Sequence, residues 1–266
     1  MTLIVGWIAC DSNRNGQKPS AMYFGSDSRF TWNNGHTYNL GRKIFSAKKH
    51  PEMFAFCGDA SFATFVLSPL IELIDNGLFL ENMPHDVKCQ KIQNHFQSCI
   101  DSYNTAFSRT DNTVIIYGTK YKQRFAAYRY TFSNSVCQCE RLQIKDYSSF
   151  ITVEGSGKKE MNNQFRCVDM RTDLYSREIC HYFASTIDTS ADSTVGGIPQ
   201  IVGIYRGIDI PRTFGFVKDG KAYLYGVEVD AKSCSVDVEW RNIDFERIDP
   251  STLQLMEGAQ AQPFLR

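Results

Sequence analysis

Apolar residues recur along the chain with two different periods, and the first of these begins almost at the first residue. Residues 3–8 (LIVGWI) predict a buried strand, and Ala21–Ser26 (AMYFGS) predicts an antiparallel partner beyond a polar turn at Asp11–Ser20. Met53–Cys57 (MFAFC) predicts another buried strand. Most chains begin with loosely held polar residues, so a head that runs directly into a sheet indicates that the N-terminus itself has a role.

The period then changes to that of helices. Residues 59–80 place apolar side chains on one helical face with a kink at Pro69, a second helix begins near Asp86, and a third runs from about Arg171 to Ile187. Later strands are predicted at Thr113–Tyr117, Phe125–Phe132, Ile151–Val153, Gln200–Tyr205, Thr213–Val217 and Lys221–Tyr225, with an Asp219-Gly220 turn joining the last two. Helices between runs of antiparallel strands indicate an α+β layered fold.

Composition narrows the class of protein. The 266 residues include 29 lysines and arginines and 29 aspartates and glutamates, so the summed charge does not steer the chain toward nucleic acid or an anionic membrane. No segment approaches the ~20 apolar residues of a membrane span, and no basic region precedes the apolar head, so we expect no signal peptide. The nine cysteines are an odd number scattered through apolar segments, which fits reduced thiols in a cytoplasmic protein.

The cysteines do not form a recognisable zinc site. Cys137-x-Cys139 places two sulfurs on one face of a strand, and His95 lies one helical turn before Cys99, but neither pair has a second pair at zinc-site spacing. Structural use of these side chains is the favoured interpretation. A phosphate-binding loop at residues 155–158 (GSGK) is excluded, because the first glycine and the final hydroxyl residue of that pattern are missing.

Candidate chemistry is concentrated near the N-terminus. Thr2 stands behind the initiator methionine, Asp27 lies in GSDSR, Lys43 lies sixteen residues further on in GRKIF, and Gly58 joins a strand to the first helix. Together these residues resemble the N-terminal nucleophile hydrolases of the proteasome β-subunit type, including their bacterial one-component relatives. Two later motifs also resemble that family, namely Gly155-Ser156-Gly157 and, after the third helix, Asp192-Ser193-Thr194-Val195-Gly196-Gly197. The resemblance covers about residues 2–226 and implies a four-layer αββα sandwich of two antiparallel sheets flanked by helices.

The resemblance implies that Thr2 is the nucleophile, and elementary chemistry gives a reason. A threonine hydroxyl is a poor nucleophile unless a base takes its proton, and the α-amine of Thr2 is a base within reach, with an ordinary pKa of ~7.7–8.0. Lys43, kept charged by Asp27, would disfavour the protonated amine. A cation about 5 Å away contributes roughly 3 kcal/mol to this effect at an effective dielectric of ~20.

Further residues complete the expected site. Gly58 would donate its backbone N–H to the oxyanion, and Ser156 and Asp192 would hold the amine and a bridging water. Val195 stands where the family usually has a serine, so one hydrogen bond near the amine is expected to be missing. Met1 must be removed before any reaction, because the nitrogen of the nucleophile is otherwise an amide without useful basicity.

The resemblance also implies an aromatic substrate pocket. The positions that flank the nucleophile in the family correspond to Phe30, Gly41, Phe45, Phe56 and Ala60. An apolar residue before the cleaved bond is the expected preference. Residues 227–266 run past the expected hydrolase domain at residues 2–226, and we expect this C-terminal extension to pack on the domain or to help it assemble.

These features predict a threonine-type peptidase that acts on a peptide or protein substrate, uses no metal or other cofactor, and forms a homo-oligomer such as a ring. Two alternatives stay open. One is a small-molecule amidohydrolase on the same fold, which an open site in a monomer or dimer would favour. The other is a catalytically silent scaffold subunit, which retention of Met1 or a network disabled by Val195 would favour.

Overall fold

Strands with apolar side chains on both faces build two sheets that stack on each other. The computed structural model describes residues 2–13, 16–32, 34–79, 82–106, 113–165, 176–235 and 237–260. Its strands are β1 (Ile4–Asn13), β2 (Gly16–Ser26), β3 (Phe30–Thr31), β4 (Thr37–Tyr38), β5 (Ile44–Ser46), β6 (Glu52–Cys57), β7 (Val114–Tyr121), β8 (Arg124–Ser133), β9 (Val136–Leu142), β10 (Ser149–Glu154), β11 (Gln200–Tyr205), β12 (Arg212–Lys218), β13 (Lys221–Leu224), β14 (Val227–Val229) and β15 (Val238–Asn242). Its helices are α1 (Ala60–Leu73), α2 (His85–Ala106), α3 (Lys158–Phe165) and α4 (Ser176–Thr189), with shorter helical turns at Ile74–Leu78 and Ala231–Ser233.

The larger sheet is ordered β10-β1-β2-β11-β12-β13-β14, and β15 pairs with β12 in parallel. The smaller sheet is ordered β5-β6-β7-β8-β9, with antiparallel neighbours throughout. β1 lies between β10 and β2, and both pairings are antiparallel. The first strand is therefore hydrogen-bonded on both sides, as the apolar head of the sequence predicts.

Three separate apolar cores define four layers. Along β1, Leu3, Val5 and Trp7 pack toward α3 and α4, whereas Ile4 and Ile8 pack into the space between the two sheets. The helices α1 and α2 cover the outer face of the smaller sheet through a third core. This arrangement confirms the predicted α+β fold with two sheets between helices.

The first hairpin differs from the prediction. The ladder between β1 and β2 continues from Ile4 opposite Ser26 out to Asn13 opposite Gly16, so the predicted polar turn at residues 11–20 is wrong for most of its length. Backbone groups pair in a ladder whatever the side chains are, and the polar residues 16–18 of β2 extend past the core with exposed side chains. Polarity at the end of a long hairpin was thus mistaken for a turn.

The predicted helices are present with revised ends. Asp59 caps α1 by accepting hydrogen bonds from the N–H groups of Ser61 and Phe62, and α1 ends at Leu73, earlier than the predicted residue 80. The third predicted helix corresponds to α4, and its predicted residues 171–175 lie outside the described residues. The short helix α3 and six strands were not predicted, namely β3, β4, β5, β9, β14 and β15.

Residues 227–260 contribute strands to the larger sheet, and Trp240 packs in a small core that also includes Val217 of β12 and Ala222 of β13. The turn at Asp219-Gly220, with φ of +51° and +72°, joins β12 to β13 as predicted. A domain boundary near residue 226 stays a prediction. Within the described ranges, none of the helices is both long enough and apolar enough to cross a membrane.

Candidate active site

Thr2 lies at the head of β1, where two neighbouring loops meet it. Ile4 pairs with β10 on one side and with β2 on the other. Just ahead of these pairs, Thr2 O accepts a hydrogen bond from Gly157 N (3.3 Å), and Leu3 N donates to Oδ1 of Asp27 (3.0 Å). The side chain of Thr2 is buried. The strand ladder therefore brings the loop after β10 and the loop after β2 to the same residue.

Lys43 joins Thr2 to Asp27. Its Nζ lies 2.8 Å from Thr2 Oγ1 and 2.9 Å from Asp27 Oδ1, and the side chains of Lys43 and Asp27 are 0% exposed. The backbone N–H of Lys43 donates to the side-chain oxygen of Gln200 (3.1 Å), a buried residue at the start of β11. Gln200 thereby ties the segment before β5 to the larger sheet, and the three residues predicted from the N-terminal motifs are brought together.

Asp27 is held from all sides. Oδ1 accepts hydrogen bonds from Leu3 N and Lys43 Nζ, while Oδ2 accepts from Arg29 N (3.1 Å) and Gly196 N (3.2 Å). An ionised carboxylate offers acceptor sites on both oxygens and suits this set of donors. Asp27 can therefore orient the ammonium of Lys43 without moving.

The ammonium of Lys43 lies in a strongly desolvated place. Burial lowers the pKa of Lys43 from its ordinary value, and the neighbouring carboxylate of Asp27 reverses that shift only in part. A cation with little water around it interacts strongly with any negative charge that forms nearby. Because Nζ is within hydrogen-bond distance of Thr2 Oγ1, Lys43 is placed to stabilise an alkoxide on that oxygen.

A second network begins at the nitrogen of the same threonine. Thr2 N donates to Ser156 Oγ (3.3 Å), and Ser156 Oγ lies 3.0 Å from Thr194 Oγ1. Thr194 Oγ1 and Thr194 N both donate to Oδ1 of Asp192, at 2.6 and 2.9 Å. Burial acts to raise the pKa of Asp192, but hydrogen bonds from Ser156 and Thr194 outweigh it, so the pKa is lowered. The predicted residues Ser156 and Asp192 thus belong to one chain of hydrogen bonds.

Thr194 was not predicted as a site residue, yet it connects the two residues that were. Val195 is buried in the core beneath α4, and Thr194, one position earlier, provides a hydroxyl for the network. Arg29 holds this loop by donating from Nη1 to the carbonyl oxygens of Ser193 (2.9 Å) and Val195 (3.2 Å). The only sequence signal for Thr194 was its place inside the DSTVGG motif, whereas Gln200 carried none.

Two glycines with positive φ lie near Thr2. Gly155 has φ of +91°, and a β-carbon at this position would lie 2.0 Å from Thr2 O, so the loop after β10 comes closer than any side chain permits. The same position is 3.6 Å from Cβ of Cys57, the last residue of β6. Gly58 follows with φ of +105°. Donation from Gly58 N to an oxyanion stays a prediction.

The residues predicted to flank the substrate form an aromatic cluster. The rings of Phe30 and Phe45 each lie 6.3 Å from that of Phe56, and a β-carbon on Gly41 would lie 2.6 Å from the ring of Phe30. Phe45 and Phe56 are buried, so the half-buried Phe30 and Ala60 present the accessible surface of this cluster. Its role in substrate binding stays a prediction.

A groove of about 690 Å³ opens beside Ser156. It is lined by Gly155, Ser156, Lys158, Lys159, Asn162 and Asn163. The lining is polar and carries two lysines, in contrast to the aromatic cluster. Among the described residues, no group of three or more His, Cys, Asp or Glu side chains is placed to hold a metal ion.

A four-layer sandwich with threonine at the head of a central strand defines the class of N-terminal nucleophile-like folds. Solved structures of Anbu share this architecture. The helical assembly of the Anbu complex from Pseudomonas aeruginosa matches with a TM-score of 0.58 and 16% identity, covering 80% of this chain and 85% of that chain. Anbu from Yersinia bercovieri, described as an ancestral β-subunit, gives 0.57 and 14%, covering 80% and 86%. A Gly-1 mutant of Anbu from Hyphomicrobium sp. strain MC1 gives 0.54 and 13%, covering 80% and 87%.

These matches correct the relationship expected from the motifs. We expected a member of the proteasome β-subunit type, close to bacterial one-component peptidases, and this assignment is wrong: the structural neighbours are Anbu subunits, which are related to the proteasome but distinct from it. No family model and no curated protein matches the chain. At identities of 11–16%, the likeness shows the fold. The short motifs were correct about architecture and too short to identify a family.

Proposed function

We propose that this protein is an N-terminal threonine hydrolase that cleaves amide bonds, with Thr2 as the nucleophile once Met1 has been removed. One observation carries the proposal: a buried lysine lies 2.8 Å from the hydroxyl of Thr2 and 2.9 Å from a buried aspartate. Burial of two charges opposes folding unless their geometry and hydrogen bonds compensate it. A pair that ends on the hydroxyl of residue 2 has a chemical use that a structural ion pair lacks.

In the proposed reaction, Oγ1 of Thr2 attacks the carbonyl carbon of the amide. The proton of the hydroxyl passes to the free α-amine of the same residue, which later gives it to the leaving nitrogen. Lys43 donates to Oγ1 and stabilises the negative charge that forms there, while Asp27 keeps Lys43 aimed. The first half of the reaction forms an ester on Thr2. Water hydrolyses this ester in the second half.

The network of Ser156, Thr194 and Asp192 would orient the α-amine. Ser156 Oγ already accepts a hydrogen bond from the nitrogen of Thr2. Asp192 accepts a hydrogen bond from the hydroxyl of Thr194, which lies 3.0 Å from the hydroxyl of Ser156. These contacts hold the side chain of Ser156 in place. An amine held in this way keeps its lone pair directed to its own hydroxyl, which is the condition for intramolecular proton transfer.

The surroundings of Thr2 support a substrate with two kinds of contact. Lys43 Nζ, which contacts Thr2 Oγ1, lies 5.3 Å from the ring centre of Phe30 in the aromatic cluster. Ser156, which accepts a hydrogen bond from Thr2 N, lines the polar groove that contains Lys158 and Lys159. We infer a peptide that places an apolar residue against Phe30 and polar or acidic groups in the groove.

Assembly with further copies of the chain belongs to the same proposal. A structure that resembles this fold is described as a helical assembly of the Anbu complex. An assembly would restrict access to the nucleophile and would protect other proteins from an unselective peptidase. Light scattering of the purified chain tests this part by giving the mass of the particle in solution.

The proposal is tested first by intact mass. Mature protein must lack the mass of Met1, and incubation with a peptide epoxyketone must add one inhibitor, because that adduct needs both the hydroxyl and the free amine of Thr2. Fluorogenic peptides that end in leucine, arginine or glutamate then rank the preference, with leucine expected to be cleaved fastest. Retention of Met1, or an unchanged mass after inhibitor treatment, would contradict the enzymatic proposal and favour a scaffold.

A small polar amide is the second candidate substrate. The polar, lysine-containing lining of the groove beside Ser156 favours it over a long apolar peptide. Hydrolysis of short acylated amines, by an enzyme preparation that reacts with the epoxyketone but does not cleave the fluorogenic peptides, would establish this alternative.

A further inference from the structure

A pair of cysteines far from Thr2 in the sequence forms a close thiol contact. Cys89 lies on α2 and Cys139 on β9, and their sulfur atoms are 3.0 Å apart. Tyr130 of β8 reaches the same place, with its hydroxyl 3.2 Å from Cys89 Sγ and 3.1 Å from Cys89 O. Two sulfurs and a phenol hydroxyl therefore converge between the helix and the edge of the smaller sheet.

The two thiols have opposite proton affinities. The hydrogen bond with Cys139 lowers the pKa of Cys89 to about 7, against the opposing effect of burial, and Tyr130 adds a second hydrogen bond. The hydrogen bond with Cys89 and burial raise the pKa of Cys139. Asp86 and Arg141 also face Cys89, and their charges act in opposite directions. The contact thus pairs a more acidic thiol on the helix with a less acidic thiol on the strand.

Cys89 differs in this respect from five other cysteines of the described ranges. Among the cysteines in the described ranges, burial raises the pKa of Cys10, Cys57 and Cys137 to about 12 and also raises those of Cys99 and Cys180. Reaction with peroxides requires the thiolate, so these thiols are much less reactive at neutral pH. The sequence pattern at Cys137-x-Cys139 showed two sulfurs on one face, and the structure adds the reactive partner from α2.

We propose that Cys89 and Cys139 form a reversible oxidation site that reacts with hydrogen peroxide and closes to a disulfide between α2 and β9. The thiolate of Cys89 attacks one peroxide oxygen, the O–O bond breaks, and the released hydroxide takes a proton to leave as water, giving a sulfenic acid on Cys89. The thiol of Cys139 then attacks that sulfur, the S–O bond breaks, and a second water leaves as the S–S bond forms. The peroxide is reduced by two electrons, and the two thiols together are oxidised by two.

The attack of Cys139 on the sulfenic acid of Cys89 requires no large movement of either side chain. The sulfurs are in contact already, and the half-buried Cys139 lies on the edge strand β9, where the smaller sheet ends. The disulfide would join residues that are 50 positions apart and would fix α2 to the edge of the sheet. Such a link restricts the unfolded chain, so it should raise the unfolding temperature of the oxidised protein.

The experiment uses the full chain and dilute hydrogen peroxide as the probe. After oxidation, free thiols are blocked with iodoacetamide and the protein is digested with trypsin, which releases Cys89 in residues 89–91 and Cys137 with Cys139 in residues 130–141. We expect these two peptides to be linked, fragmentation to place the link on Cys139, and dithiothreitol to restore both thiols. Free, separately alkylated Cys89 and Cys139, or irreversible sulfonic acid on Cys89, would overturn the proposal.

Matched variants identify the pair independently. Cys137→Ser should keep the link, whereas Cys139→Ser should abolish it and leave a sulfenic acid on Cys89 that dimedone labels. Tyr130→Phe removes one hydrogen bond to Cys89 and should slow the reaction with peroxide several-fold while the same link still forms. Formation of the link in Cys139→Ser, or its loss in Cys137→Ser, would show that the wrong sulfur has been assigned. The mapping in the unaltered protein decides the matter even where a variant folds poorly.

Discussion

In the part of the chain that the structure describes, two lysine–carboxylate pairs are buried, and they differ in what surrounds the charges. Lys43 contacts Asp27 and the hydroxyl of Thr2, at the end of the sandwich where strand ends and loops meet. Lys88 of α2 contacts Glu52 of β6, and the second oxygen of Glu52 accepts a hydrogen bond from Tyr117. Glu52 and Cys57 stand at opposite ends of β6, about 17 Å apart at ~3.3 Å per residue.

The pair of Glu52 and Lys88 is surrounded by other buried side chains. Thr119 lies 3.4 Å from Lys88 Nζ, and the ring of Phe79 lies below the same ammonium. Burial raises the pKa of Glu52 and holds that of Tyr117 well above its ordinary value. A buried ion pair is therefore not by itself the mark of an active site. The pair of Lys43 and Asp27 differs in its third member, the hydroxyl of Thr2 at the head of β1.

Replacing Thr2, the proposed nucleophile, should have the largest effect on activity. We expect Thr2→Ala to lower amide hydrolysis by about 10⁴-fold or more, as loss of a nucleophile does in other hydrolases, with little change in the unfolding temperature. Thr2→Ser keeps a hydroxyl and should retain measurable turnover. Steady-state kinetics on the best fluorogenic peptide checks both, and turnover by Thr2→Ala equal to that of the unaltered protein would remove Thr2 from the mechanism.

Replacing each lysine by methionine should separate catalysis from stability. Breaking a buried pair costs about 3–5 kcal/mol in either place, because a carboxylate is left buried without its partner. In the folded fraction, we expect Lys43→Met to lower kcat/KM by about 10²–10³-fold, which is the usual effect of losing one contact to the transition state. Lys88→Met should leave kcat/KM of the folded fraction unchanged. Urea unfolding and kinetics on the folded fraction measure the two effects. Equal kinetic losses in both variants would mean that Lys43 acts through stability alone.

Removing the hydroxyl of Thr194 should have a smaller effect. Thr194→Val keeps the shape of the side chain but loses the hydrogen bonds to Ser156 and Asp192, so we expect a fall in kcat of about 10-fold, equivalent to one hydrogen bond to a charged group. Thr189→Val, which removes an exposed hydroxyl bonded to Ser185 O in the same region, serves as the control. A similar loss in both variants would point to the loop as a whole rather than to this network.

The smallest effect is expected for the partly buried carboxylate of Asp192. Its pKa is lowered in the folded protein, so ionised Asp192 stabilises the fold above the ordinary value of 3.8, and this contribution disappears as the pH falls through the lowered pKa. Asp192→Asn should therefore be less stable than the unaltered protein at pH 5–7, and the difference should shrink as the pH falls below 3.8 and through the lowered pKa. Thermal unfolding across this range measures it, and a difference independent of pH would refute the titration of Asp192.

The sequence predicted the fold, and it singled out several residues that the structure places together around Thr2; their roles in a reaction stay predictions. The apolar period and the turn residues indicated the strands, and a hairpin that begins at Leu3 must bring the residue after its second strand, Asp27, back beside the first. Lys43 lies just before β5 of the smaller sheet, so no periodic pattern joins it to Thr2; the likeness of short motifs did so. That likeness was accurate for geometry and wrong for the family.

The features that were missed depend on packing between distant segments. Thr194 lies one position before Val195, which the sequence analysis singled out. Only the backbone conformation of the loop decides which of their side chains points to Ser156. The helix α3 is mostly polar and buries only Met161 and Phe165, so its apolar period is weak. The contact of Cys89 with Cys139 requires the position of α2 on the sheet, which no local pattern contains.

Gly155 has a wider consequence for how this molecule can vary. Because Gly155 has no side chain, the main chain of the loop after β10 can lie against the carbonyl group of Thr2. This contact between backbone groups helps to position the head of β1. Side chains along the groove and around Phe30 can then be exchanged without displacing Thr2. Under the proposed function, such a scaffold allows substrate selectivity to diversify while Oγ1 of Thr2 and its α-amine keep their positions.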